Sequence, residues 1–293
     1  MYIAMFNGWY FFWLILFTGA TAGLYFLLRN RRAAAQKTVL FSLLAVGFLL
    51  HFLKTYIPPY SVDEARMLRD SWFVNICAAN IALFPFLFWS KNRKVQDYMF
   101  YIGVISGLIA LLYPQEPMAK QNQAGEQLDI LRFYYHHWML LAVPLLSVML
   151  GHHKLSYKRV LSAPTGLLLL MLFIMLNQIF QSELGFVPLR NREDFFAIGY
   201  KNTSYIWGPG TNDAIGEFLA LFTPEFFKTV PVGEFAGQAK YWPWFWLIVP
   251  CYILIPPISV LLALVFDHGA LIADVRKLRD RFHKPHTPQH NHH

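Results

Sequence analysis

The chain has 293 residues, of which 56% are hydrophobic and 17% aromatic but only 14% charged, with a formal net charge of +8. A soluble domain carries about 25% charged residues, and so apolar a chain in water would expose patches that soluble monomers avoid. The composition excludes a simple soluble enzyme and a disordered chain. With its two cysteines inside apolar runs, it also excludes a disulfide-built scaffold.

A bilayer core takes about 20 mostly apolar residues per helix. Residues 8–28, 37–57, 71–91, 96–113, 129–151, 158–182 and 243–266 meet that length. They predict an all-α polytopic membrane bundle of about seven transmembrane helices, forming a single domain over residues 1–266. No basic leader precedes the first run, which is too long for a signal-peptide core. The fourth run is short, and the fifth carries Arg132, His136 and His137.

Assigning alternate loops to opposite sides gathers Arg29, Arg31, Arg32 and Lys37 with Lys91, Arg93 and Lys94. Lys154, Lys158 and Arg159 and the tail residues Arg276, Lys277, Arg279, Arg281 and Lys284 fall on the same side. Basic short loops mark the cytoplasmic face, so the N-terminus is expected outside and the C-terminus in the cytoplasm. Trp9, Trp13, Trp72, Trp89, Trp242, Trp244 and Trp246 stand near span ends, as interfacial anchors do.

Polar side chains inside apolar helices are costly to bury and mark functional candidates. Counting at 1.5 Å per residue, His51, Cys77, Asn80, His136, His137, Asn177, Gln178 and Cys251 fall about 6–12 Å below the outer surface. No comparable set lies in the inner half. An outward-facing pocket is therefore expected, with a thiol and an imidazole among its groups. A base beside a thiol makes it a nucleophile.

Residues 183–242 form an outer loop too long for a plain connection. Within it lie Asn202, Tyr205, Asp213 and the apolar run Phe218–Phe222, which reads as a lid partly embedded in the membrane. Residues 267–293 read as a basic amphipathic helix, with Leu271, Ile272, Val275, Leu278 and Phe282 at helical spacing, followed by a His-rich tail.

Four pieces carry a family likeness: Asn75-Ile-Cys-Ala-Ala-Asn80; Gly103-Val-Ile-Ser-Gly107 running to Pro114; His136-His137-Trp with Pro144; and Asn202-x-x-Tyr205-x-x-x-Pro209-x-x-x-Asp213, followed by Tyr241-Trp-Pro-Trp244. Over roughly residues 70–265 the chain resembles the YwaF-like integral membrane proteins and their vertebrate relatives, the transmembrane acyltransferases of ether-phospholipid remodelling. The resemblance implies a Cys/His catalytic pair. It places the nucleophile at Cys77 and the base at His137 by its spacing to Pro144, with His136 the adjacent alternative.

The expected function is lipid acyl transfer through a thioester on Cys77, with a phospholipid or lysophospholipid as substrate. Asn80, Asn177, Asn202, Tyr205, Asp213, His51 and His136 are supporting candidates. No cofactor, metal or nucleic-acid partner is implied, and the absence of long tails points to a bacterial cytoplasmic membrane. The competing readings are a non-catalytic binding or transport protein, a structural membrane protein, and a metal or haem protein using His51, His136 and His137, for which no CxxCH motif is present.

Overall fold

A computed structural model describes residues 2–58, 60–62, 67, 73, 75–119, 126–184, 204–210, 214–230, 232–233 and 236–282. Seven principal helices are α1 (Gly8–Leu28), α2 (Ala33–Leu53), α3 (Ile76–Leu87), α4 (Arg93–Leu112), α5 (Glu126–Met149), α6 (Ser162–Glu183) and α7 (Ile248–Phe282). Among the described residues the only β pairing is an isolated bridge between Thr229 and Ala239. Five helical stretches are long and apolar enough to cross a membrane, those containing α1, α2, α4, α6 and α7. The remaining two fall short for different reasons. Helix α3 has only 12 residues, about 18 Å, well short of a bilayer core about 30 Å thick. Helix α5 has 24 residues, long enough to cross, but carries Asp129, Arg132 and two histidines.

Helix α5 is the hub. It lies against α4 along much of its length and also touches α1, α2 and α3, while α6 packs on α3, α4 and α7. Glycine makes the α4–α5 approach possible. A Cβ at Gly107 would stand 2.7 Å from the carbonyl oxygen of His137, and one at Gly103 would collide with the carbonyl of Leu140. These glycines, one turn apart, let two backbones touch, as small residues do in membrane helices.

At the basic end, Asp97 is fully buried and held by Arg159 (Nε 2.5 Å, Nη2 3.1 Å) and by His153 Nε2 at 2.7 Å. Helix α7 breaks at Asp267, where the backbone leaves helical geometry. Beyond that break, Asp274 accepts from the Tyr157 hydroxyl at 2.5 Å and pairs with Lys158. The extension keeps Ile272, Val275 and Leu278 exposed.

Helix α7 is shifted toward the basic end relative to α6. The Tyr252 hydroxyl lies 2.8 Å from Thr165 Oγ1, three residues into α6, and Trp244 Nε1 donates to the Leu168 carbonyl at 2.7 Å. This corrects the expected depth of Cys251. It neighbours the first turns of α6, whereas Asn177 lies 12 residues beyond Thr165, about 18 Å further along.

Candidate functional site: a thiol at the start of a half-length helix

Asn75 caps α3, its Oδ1 accepting from Ala78 N at 2.7 Å. Cys77 is therefore the second residue of a helix, in the positive field of its N-terminus. It is half-buried and packs against the main apolar core. Asn80, one turn further, is fully buried and accepts from the Tyr98 hydroxyl at 2.7 Å. Tyr98 is only five residues from the basic start of α4, so α3 occupies the basic half of the bundle. Cys77 accordingly sits near mid-depth, deeper than the 6–12 Å counted from sequence, because the helix starts at Ile76 and not at the membrane surface.

The two adjacent histidines have different surroundings. His137 Nδ1 donates to the Phe133 carbonyl at 2.8 Å, and its ring packs 4.1 Å from that of Phe133. A carbonyl can only accept, so Nδ1 carries the proton and the lone pair of the neutral ring is on Nε2. Among the described residues Nε2 has no hydrogen-bond partner. His136 instead uses both nitrogens: Nδ1 faces Arg132 Nη1 at 3.3 Å and Nε2 faces the Gly47 carbonyl at 3.0 Å. It joins α5 to α2.

Arg132 is anchored in turn by Asp129, through Nε at 2.9 Å and through Nη2, and by the Tyr60 hydroxyl at 3.3 Å. Tyr60 also donates to Asp129 at 3.0 Å. The His51 ring, 1% exposed, lies 6.5 Å from that of His136 and stacks 6.2 Å from Phe73.

Glu116 was not among the sequence candidates. It lies in the short helix Gln115–Ala119, just after the end of α4, and its negative charge bears on Cys77, His137 and Arg132. Gln181 was missed as well: it is 1% exposed, and neither amide atom has a partner among the described residues. Asn80 Nδ2 and Asn177 Nδ2 are likewise buried without partners. Buried amides in that condition call for water or a ligand. A patch of amides near a helix end has a sequence signal, but a lone Glu in a short connection has none.

The thiol and imidazole are not hydrogen-bonded to each other, and Cys77 has no such partner among the described residues. Tyr205 lies elsewhere. Its backbone φ is +58°, its carbonyl receives Trp246 Nε1 at 2.7 Å, and Trp244 N bonds the neighbouring Ile206 carbonyl at 2.7 Å. That fastening sits at the level of Leu168, away from Asn177 and Gln181. Asn202 and Asp213 lie outside the described residues. No cluster of three or more His, Cys, Asp or Glu side chains among the described residues is arranged to hold a metal ion.

Residues 4–255 match the model of the TMEM164 family. No curated protein and no solved structure matches the chain.

Proposed function

The chain belongs to the TMEM164 family of transmembrane proteins, and from that premise we propose that it is a lipid acyltransferase working through Cys77 and His137. The observation that carries the reading is the placement of Cys77 as the second residue of the short helix α3, whose N-terminus is capped by Asn75. A helix N-terminus favours a thiolate, and discontinuous helices inside membrane bundles commonly bear functional groups.

In this reading His137 Nε2 takes the thiol proton. The thiolate attacks an acyl ester carbonyl of a phospholipid, the C–O bond breaks, and the leaving lysophospholipid oxygen takes the proton back from His137. An acceptor hydroxyl then gives its proton to the same nitrogen and attacks the thioester. The C–S bond breaks and the thiolate returns. Glu116 favours the imidazolium that forms between these steps, and Asn80 Nδ2 is a donor for the carbonyl oxygen. His136 is a junction and not the base, because both its nitrogens are occupied.

The same reading takes the basic end of the bundle as cytoplasmic, with the N-terminus outside, the C-terminus inside, seven crossings, and a bacterial cytoplasmic membrane as host. A thiol-directed acyl probe tests the chemistry on the reconstituted protein. Labelling lost in Cys77→Ser and retained in Cys251→Ser supports it; unchanged labelling in Cys77→Ser rejects it.

Among the described residues, the buried Nδ2 groups of Asn80 and Asn177 and the amide of Gln181 have no partner, which favours a second reading, a binding or transport site without covalent chemistry. It requires that Cys77→Ala leave lipid or solute binding intact and that no acyl-enzyme form.

A further inference from the structure

Between α3 and α6 lies a cavity of about 980 Å³ with almost wholly apolar walls. Ala79, Ala82, Leu83 and Phe86 line it from α3, and Thr165, Leu169 and Phe173 from α6. Its lips are Phe86, Leu169 and Phe173, exposed by 69%, 62% and 49%, so the groove opens sideways, toward where lipid would lie. On the α3 wheel at 100° per residue, Cys77 points roughly 160° away from Ala79. The groove is thus on the opposite face from the thiol, and neither Cys77 nor His137 lines it.

Length and charge define what fits. Ser162 to Phe173 is 11 residues along α6, roughly 16 Å, the depth of one leaflet of a core about 30 Å thick. At its shallow end the groove meets Lys94, Lys158 and Arg159. Lys158 is neutralised by Asp274 and Arg159 by Asp97. Lys94 is exposed and has no carboxylate partner among the described residues. Helices α4 and α6 both begin at this end, and their positive N-termini add to the surplus. A cavity one leaflet deep, apolar along its length and positive at its headgroup end, is complementary to one amphiphile with a negative head.

We propose that this groove binds a single anionic glycerophospholipid from the leaflet on the basic side. One acyl chain lies along α6 from Thr165 to Phe173, and the phosphate lies at Lys94. The site is independent of the thiol chemistry: it faces away from Cys77 and requires no covalent step.

The full chain, reconstituted in phosphatidylcholine nanodiscs, is tested with trace phosphatidylglycerol or phosphatidylcholine bearing a photoreactive acyl chain. The expected result is crosslinking to peptides covering residues 79–86 and 165–173, at least five-fold stronger for phosphatidylglycerol. Lys94→Gln should bring the two lipids within two-fold of each other. Leu169→Trp, at an exposed position, should cut labelling by both several-fold by filling the groove. Arg29→Gln, a basic-side charge that does not line the groove, and Cys77→Ser should leave the preference unchanged. Equal labelling by the two lipids, a preference that survives Lys94→Gln, or crosslinks confined to other helices would overturn the site. Photocrosslinking of the groove and thiol-probe acylation of Cys77 are read separately, so failure here is distinguishable from failure of the acyl-transfer reading.

Discussion

Gly107 and His137 meet backbone to backbone. A Cβ on the glycine would stand 2.7 Å from the His137 carbonyl oxygen and 2.8 Å from Leu141 Cβ. The imidazole of the same histidine bonds the Phe133 carbonyl one turn earlier. Helix packing and ring orientation are therefore set within the same turns of α5. A backbone oxygen cannot move aside as a side-chain tip can, so Gly107→Ala must push α4 and α5 apart. The expected cost is about 1–3 kcal/mol, read as a lower thermal midpoint of the purified protein. Gly23→Ala is the control, since nothing lies within 4 Å of a Cβ there. Equal midpoints for the two variants would refute the close approach.

The Asp129–Arg132–Tyr60 group makes a second case. Asp129 is 4% exposed and its side chain binds both partners. Removing one member of a buried pair leaves an uncompensated charge and costs about 3–5 kcal/mol, whereas replacing both by apolar groups of similar volume is often neutral. Asp129→Leu alone should therefore be strongly destabilising, and Asp129→Leu with Arg132→Met should recover much of the loss. Denaturation of both in one detergent gives the comparison. A double variant no better than the single would show that Arg132 is needed for more than pairing, through His136.

Helix-forming apolar runs and isolated polar residues are properties of single positions or local windows, and they were readable as such: the runs containing α1, α2, α4, α6 and α7, the Gly103–Gly107 pair, and the presence of Cys77 and His137. The depth of Cys77 was not readable, because it depends on where α3 starts. Asn75 looks like any asparagine until its side chain is seen to accept from Ala78. The position of Cys251 failed for a related reason: counting from residue 243 assumed that the last span begins at the surface, yet Trp244 is already bonded to Leu168. Indole N–H groups reaching carbonyls 41 and 76 residues away are long-range contacts that composition reads only as interfacial tryptophan. Glu116 was invisible because its relevance comes entirely from the fold.

Those indoles give a third prediction. Trp246 is fully buried and donates to the Tyr205 carbonyl at 2.7 Å. Trp246→Phe keeps an aromatic ring but removes the donor, leaving a carbonyl unsatisfied at a cost of about 1–3 kcal/mol. The loosened element is the segment 204–210, so amide exchange there should accelerate while exchange in α5 stays unchanged. Uniform acceleration through both would instead indicate loss of core packing, and no acceleration would show that the bond does not hold the segment.

The last prediction separates the two adjacent histidines by what their nitrogens touch. His136 connects Arg132 to the Gly47 carbonyl, so His136→Ala removes a link between α5 and α2 and orphans a buried guanidinium contact. It should lower the thermal midpoint, with a loss of about 2 kcal/mol or more. His137 makes one bond, to a carbonyl of its own helix, and that carbonyl also lies in the helical ladder. His137→Ala should therefore cost less stability than His136→Ala. If its Nε2 is the base that activates Cys77, the same variant should slow acylation of the thiol by about 100-fold or more. Rates of Cys77 modification by an acyl probe, measured beside the midpoints, give the two readouts. A destabilised but reactive His136→Ala with a stable but unreactive His137→Ala would divide structure from chemistry between neighbours. Equal acylation rates in both would remove His137 from the reaction.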